Sequence, residues 1–529
     1  MDESNSTLEV HVASTTQLFP DTSSGEPTTI SLSIIDSAVC YFARTAAVWF
    51  YDPPSVPELA ISESLLQAAL SRTLNSYRPW CGRLSYTVPE ANAGHAKRYR
   101  RVQVTFDAST DLGVTFITAT SPKILSDFIP SPQDRGTTHR AWDGSQLPAT
   151  GLLPSTRMAL SSGHPPPDAP NVLIQITKFA CGSTSVGIAI AHGLSDAQGM
   201  CTFAKDWASV SRALYASAAL PRLSPVFDPQ LLDAAAAGNI DAESPDPALV
   251  EQARNLPFHR FDWYTEVSSQ PWAVHTPTDF DHTFVLSPSD PIPWEDWDPN
   301  GPTSHRVLHF TPAEIQHLHT LASLGLKSRI SKHDALLAHI WTRINLARKL
   351  PPSTTTYIDV TLGLRPRLSL PHNFLGSPIM IAAIPIITPP SSASQYPPLY
   401  EIASRIRGYL EVFTTSAIGA FLHDSAFEVS PQRLWQAFLG KKHILQTTWV
   451  GAGVYDVNFV GSGSSDKGPK LRFVQPEMGG DGLVLVMEGL GEEKGGHWSQ
   501  NGADVIIYLA KDVIERMDSD PALWGDGAQ

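Results

Sequence analysis

The chain has 529 residues, 42% hydrophobic and 17% charged, a globular composition with apolar material for more than one core. Its formal net charge of −14 argues against duplex nucleic acid and anionic membrane as partners. Only four cysteines occur, Cys40, Cys81, Cys181 and Cys201, with no C-x-x-C pair, so a disulfide framework is not expected.

The length suits two large domains. The polar, acidic start (MDESNSTLEV) has no signal-peptide core, and no long apolar run suggests a membrane helix. A cytoplasmic, monomeric protein is the expectation.

In chain order, a short strand is predicted at Leu8 to Ala13 and another at Val48 to Tyr51, stopped by Pro53 and Pro54. Ser62 to Tyr77 reads as an amphipathic helix with Leu65, Ala69, Leu70 and Leu74 near one face. Ordinary core packing explains that stripe. Residues 161–171 form a Pro-rich loop, followed by strands at Val172 to Phe179 and Ser185 to Ala191. Small residues alternate with Val186, Ile188 and Ile190 in the second, which suits close approach by a neighbour. Gly199 to Tyr215 reads as a helix with Phe203, Trp207, Val210 and Leu214 as its stripe.

Residues 216–303 lack sustained periodicity and suit a crossover between an N-terminal domain (1–215) and a C-terminal one (304–529). A short helix near Pro247 to Arg254 interrupts this stretch. Val307 to Phe310 then reads as a strand, and Thr311 as the cap of a helix with Glu314 reciprocating. Ser331 starts a further helix. Strands are expected near Tyr357 to Gly363, Ile379 to Ile387, Thr447 to Val450, Leu483 to Glu488 and Ala503 to Leu509. The fold class is α/β with helices and strands mixed in both halves.

The segment that carries chemistry is His192-Gly193-Leu194-Ser195-Asp196, at a strand-to-helix junction. An imidazole there can project into a cleft and take a proton from a hydroxyl or amine. Asp196 sits at the helix start, where a carboxylate can bond backbone N–H groups or a distant Arg and shape the loop. By itself H-x-x-x-D is a weak signal, since a strand-end His before a capping Asp is common. No G-x-S-x-G elbow, Walker sequence or dinucleotide fingerprint is present. His317 and His319 fall on different helix faces and read as solvated, so no metal site is expected.

Four further segments add to the motif. LSIIDSAVCYFARTAAVWFY, LQAALSRTLNSYRPWCGRL, then H-x-x-x-D, VTLGLRPRLSLPHNFLGSPI and TTWVGAGVYDVNFVGSGS resemble the successive segments of the BAHD acyltransferases, from about residue 30 to about 515. The resemblance implies two chloramphenicol-acetyltransferase-like domains with mixed sheets and the active site at their interface. It implies His192 as general base, Asp196 as structural carboxylate and Arg365 as its partner, with Arg367 the alternative. Thr447 and Trp449 match acceptor-pocket positions. Asn458, Phe459, Gly461 and Gly463 match a supporting segment, in which this chain departs from the usual Asp-Phe-Gly-Trp-Gly.

The implied activity is acyl transfer from a CoA thioester to an alcohol or amine of a small molecule, in the style of fungal secondary metabolism. Acyl-CoA is then the co-substrate, and no bound cofactor is expected. Lys327, Arg329 and Lys332 cluster at the start of the Ser331 helix, and Ser331 and Lys332 are candidates for CoA binding. Two other readings stand beside this one: a relative of peptide-synthetase condensation domains, and a catalytically degenerate metabolite-binding relative.

Overall fold

A computed structural model describes all residues except 1–7, 23–24, 42–43, 91–92, 136, 138–139, 146–150, 161–167, 265–275, 326–328, 391–395, 461–466, 492–495 and 526–529. Gly461, Gly463 and Lys327 therefore lie outside the described residues, as does most of the Pro-rich loop.

The first sheet is built from β1 (His11–Leu18), β2 (Arg44–Tyr51), β3 (Val114–Ser121), β4 (Val172–Phe179) and β5 (Thr184–Ala191). Their order is β1-β3-β4-β5-β2, and Leu471–Pro476, from far along the chain, closes the edge beside β2. Every residue of β5 is buried, as expected of a central strand covered on both faces. Gly187 in β5 lets the backbone of Leu152 approach: an added Cβ would lie 2.4 Å from its carbonyl oxygen.

The second sheet contains β6 (Thr303–Phe310), β7 (Thr355–Gly363), β8 (Ile379–Ile387), β9 (His443–Thr448), β10 (Leu483–Glu488) and β11 (Ala503–Ala510). They run in the order β8-β7-β9-β10-β11-β6, with Ala141–Asp143 from the N-terminal half added beside β6. β9 lies parallel to both of its neighbours. Each sheet thus borrows one strand from the other half of the chain, and the two halves are tied together by backbone hydrogen bonds.

Helices cover these sheets: α1 (Ile34–Val39), α2 (Glu63–Leu74), α3 (Ala197–Tyr215), α4 (Pro312–Ala322), α5 (Lys332–Arg348), α6 (Leu399–Glu411) and α7 (Thr415–Ala426). Local chemistry fixes their starts. Ser62 accepts from the Leu65 N–H, and the reciprocal bonds of a capping box form at both Thr311/Glu314 and Ser331/Asp334. No described helix is long and apolar enough to cross a membrane.

Three expectations shift. The first strand lies at His11–Leu18 rather than Leu8 to Ala13. It is a mostly exposed edge strand, held by its ladder to β3, and so has no apolar alternation to read. The strand expected at Thr447 to Val450 forms earlier, at His443–Thr448, where β7 and β10 supply partners on both sides. The crossover is docked as well as irregular. Its helix Pro247–Arg254 packs on α7, and Phe261–Asp262 pairs with Leu434–Trp435. Arg433, with no exposed side-chain surface, bonds Asp262 at 2.5 Å and Glu428 at 3.0 Å beneath it.

The core of the first half centres on α3. Trp207 is fully buried, donates to the Leu66 carbonyl at 3.0 Å and meets the Phe459 ring edge-on at 4.7 Å. Trp207→Ala is expected to cost about 3–5 kcal/mol through the cavity it leaves. Urea unfolding followed by far-UV circular dichroism checks this. An unchanged midpoint would show that the ring contributes nothing to the core.

Candidate active site

β5 ends at Ala191, a single 3-10 turn follows over His192–Leu194, and α3 begins at Ala197. The turn packs tightly against α1. A Cβ on Gly193 would lie 2.1 Å from the Cys40 Sγ and 2.9 Å from the Asp36 carbonyl, so only glycine fits there. Asp196 is the N-cap of α3 and accepts from the Gly199 N–H at 2.9 Å.

The second half reaches this loop through residues 365–377. Arg365 clasps Asp196 with both terminal nitrogens, Nη1 to Oδ2 at 2.5 Å and Nη2 to Oδ1 at 2.9 Å. Both residues are buried, at 6% and 7% exposure, so the pair stands almost free of solvent screening. Arg365 also donates to the Phe374 carbonyl through Nε at 3.1 Å and Nη2 at 2.8 Å. Arg367, the alternative partner, instead donates to the carbonyls of Phe413 and Leu410. Two backbone bonds complete the seam: Asp196 N–H to the Gly376 carbonyl at 2.9 Å, and Gly376 N–H to the Leu194 carbonyl at 3.0 Å.

Ser377 lies beside the imidazole. Its hydroxyl donates to the His192 carbonyl at 2.5 Å, and His192 Nδ1 lies 2.9 Å from the same oxygen. Because the hydroxyl proton is committed to the carbonyl, the Ser377 oxygen is left to accept from Nδ1–H. The lone pair of His192 is then on Nε2. Burial holds the His192 pKa below the ordinary imidazole range, so the ring is neutral near pH 7. Asp36 steadies Ser377 in turn: its Oδ1 accepts the Ser377 N–H at 2.6 Å and its Oδ2 the Ser33 hydroxyl at 2.7 Å. Burial pushes the Asp36 carboxyl up to about 7. Neither Asp36 nor Ser377 was assigned a role from sequence, although both lie inside the quoted segments.

The other expected residues divide. Phe459 is 1% exposed and packs between Trp207 and Tyr51, while Ser211 donates to its carbonyl at 2.8 Å. Asn458 accepts from the Val460 N–H at 3.1 Å and, through its carbonyl, from Arg212. This segment therefore anchors α3. Thr447 is half-buried in β9, and Trp449 is 6% exposed and packed into the first core. Ser331 is committed to capping α5 and also accepts from Arg407 at 3.2 Å. Lys332 donates to the Ser499 hydroxyl at 3.2 Å.

A cleft opens along α1, lined by Ile34, Ile35, Ala38 and Val39 together with Ile379, Met380 and His259. His192 is not part of its wall. Asp36 on the same helix and Cys40 at its end are not part of that wall and contact Ser377 and the His192–Leu194 turn instead.

Residues 8–384 match the transferase family. Among curated proteins, the acyltransferase AFT15-1 of Alternaria alternata is 27% identical, covering 98% of this chain and 97% of its own length. Among solved structures, vinorine synthase aligns with a TM-score of 0.58 at 16% identity over 98% of each chain. TRI101 of F. sporotrichioides, complexed with coenzyme A and T-2, aligns with a TM-score of 0.58 at 16% identity over 94% of this chain and 98% of that one.

The geometry makes the Asp196–Arg365 pair testable. Asp196→Asn and Arg365→Ala are each expected to cost about 3–5 kcal/mol, because either leaves a charge buried without its partner. The double variant should be no worse than the more damaging single. Chemical denaturation of all four proteins checks this, and strictly additive losses would show that the two residues act independently.

Proposed function

The chain belongs to the BAHD transferase family and is an acyltransferase, and on that footing we propose that His192 is the general base of acyl transfer from a CoA thioester to a hydroxyl or amine of a small molecule. The observation that carries the reading is the single-tautomer environment of His192: Nδ1 donates to Ser377, which leaves a neutral Nε2 as the acceptor of a proton.

The acceptor group approaches Nε2, loses its proton as it attacks the thioester carbonyl, and forms a tetrahedral oxyanion. Collapse expels the CoA thiolate, which takes the proton back from the imidazolium. No covalent enzyme intermediate is needed. Asp196 faces Arg365 rather than the ring, and its part is to hold the loop. Ser377 and Asp36 are positioning residues that keep the ring in one tautomer and one orientation.

Further parts of the proposal rest on the relatives. The CoA in the TRI101 structure supports acyl-CoA as co-substrate, and the proposed chemistry calls on no resident cofactor. A place in secondary metabolism is part of the proposal, and the full-length similarity to an acyltransferase of Alternaria alternata supports its acyltransferase part. Lys332 and Ser331 are offered as neighbours of the CoA phosphates, and Thr447 and Trp449 as neighbours of the acceptor. The division at 1–215, 216–303 and 304–529 and a cytoplasmic, monomeric state complete the reading. Family membership separates the chain from the condensation-domain alternative.

Incubation with a panel of acyl-CoAs and a metabolite extract, followed by mass spectrometry, should reveal an acylated product. His192→Ala should remain folded and lose about 10²–10⁴ of the turnover; near wild-type turnover would overturn the mechanism. The pH profile carries a second test. The neutral imidazole is the active form and its pKa is lowered, so the contribution of the imidazole itself is flat above about pH 6.5. It should fall with decreasing pH through an inflection below that value. An inflection above it, still present in Asp36→Asn, would show that another group controls the rate.

A further inference from the structure

Apart from the acyl-transfer loop, three residues from distant parts of the chain converge beneath the crossover. His259, Asp359 and His443 place one ligand-capable atom each within 4.8 Å of one another. Asp359 Oδ1 lies 3.1 Å from His259 Nε2, and Asp359 Oδ2 lies 2.9 Å from His443 Nδ1. β7 and β9 run parallel with Tyr357 opposite His443, so Asp359, two residues on, shares a sheet face with His443. His259 arrives from the crossover, whose Pro257 carbonyl accepts the Ala383 N–H of β8 at 2.8 Å.

The electrostatics are unusual. Asp359 has no exposed surface, and its only ion-pair partners among the described residues are the two histidines. Its one further bond is from the Phe438 N–H at 3.2 Å. A fully buried carboxylate is costly unless it is paired, and here the groups that pair with it are two imidazoles, both of them metal-ligand types.

Both rings are also fixed in place. His443 stacks on Tyr357 at 5.0 Å and His259 on Phe261 at 4.6 Å. Asp359 is oriented by the backbone N–H of Phe438, the kind of outer contact that ligating carboxylates have. His259 is half-buried and forms part of the wall of the cleft along α1, which provides an entry path.

We propose that His259, Asp359 and His443 form a binding site for a divalent transition-metal ion, with zinc as the matching ion and the cleft side of His259 as the open position. Two imidazoles and one carboxylate are a donor set that zinc accepts. Adjacent ligand atoms around tetrahedral zinc lie about 3.3 Å apart, given zinc–ligand distances near 2.0–2.1 Å. The two nitrogen–oxygen separations, each to a different carboxylate oxygen, are within a few tenths of that spacing; the three ligand atoms spread over up to 4.8 Å, so the two rings must move toward each other when the ion binds. Each neutral imidazole presents the nitrogen that now faces Asp359, its proton moving to the other ring nitrogen. The ion adds positive charge beside the buried carboxylate. It would cross-link the crossover to the second sheet, and none of the bonds that hold His192 passes through it.

The test uses the full chain, stripped with chelator and titrated with zinc by calorimetry. The expected result is one equivalent of zinc on the wild type, with affinity lowered by at least about 10–100-fold in His259→Ala and in Asp359→Asn. His317→Ala, which changes an exposed histidine elsewhere, should bind as the wild type does. Cobalt(II) on the wild type should give the intense visible bands of a low-coordinate site, a readout that needs no variant to fold. Absence of stoichiometric uptake by the wild type would overturn the proposal, as would equal uptake by His259→Ala. A cobalt spectrum identical to that of the hydrated ion would do the same.

Discussion

The buried pair between Asp196 and Arg365 is the constraint around which the acyl-transfer loop is organised. A carboxylate and a guanidinium at that depth would each be costly alone. Together, with the Phe374 carbonyl taking the remaining Arg365 donors, they make a seam that fixes where the second half of the chain meets the first. The seam runs on through the backbone bonds between Leu194, Asp196 and Gly376 to the hydroxyl of Ser377. His192 is thereby oriented by a residue 185 positions away in sequence. The single-tautomer environment of the ring exists only when both halves are in place.

The sheets reinforce the same dependence. Leu471–Pro476 completes the first sheet and Ala141–Asp143 extends the second, so neither half has all its own strands. The segment just before Leu471–Pro476 includes Phe459, whose ring braces Trp207 on α3. The helix that Asp196 caps is therefore held at its start by Arg365 and along its length by Phe459. Replacing the usual Asp of that segment with Asn458 leaves this bracing intact, because the contacts are an apolar ring and backbone carbonyls rather than an ion pair.

Two clusters of different character emerge. One is a neutral imidazole in a single tautomer, the base proposed for acyl transfer. The other is a carboxylate between two imidazoles beneath the crossover, away from the acyl-transfer loop. The crossover itself has little periodicity, yet it is tied down by the helix Pro247–Arg254 on α7 and by the ion pairs of Arg433.

The sequence by itself determined a good deal. Local signals were enough for the capped starts at Ser62, Thr311 and Ser331, because a cap is a matter of three or four residues. Apolar runs marked β4, β8 and β10 at their observed bounds, since those strands are buried and apolar. The motif order pointed to His192, Asp196 and Arg365. What the sequence left open follows from long range. The edge strand β1 has no apolar face to read, and α1, α6 and α7 were not assigned. Ser377 and Asp36 are ordinary residues until the fold brings them to the imidazole. His259, Asp359 and His443 lie 100 and 84 residues apart, a spacing no motif encodes. Only the pairing of β7 with β9 and the docking of the crossover bring them together, because parallel strand register and tertiary packing are set by the whole sheet and not by any one segment.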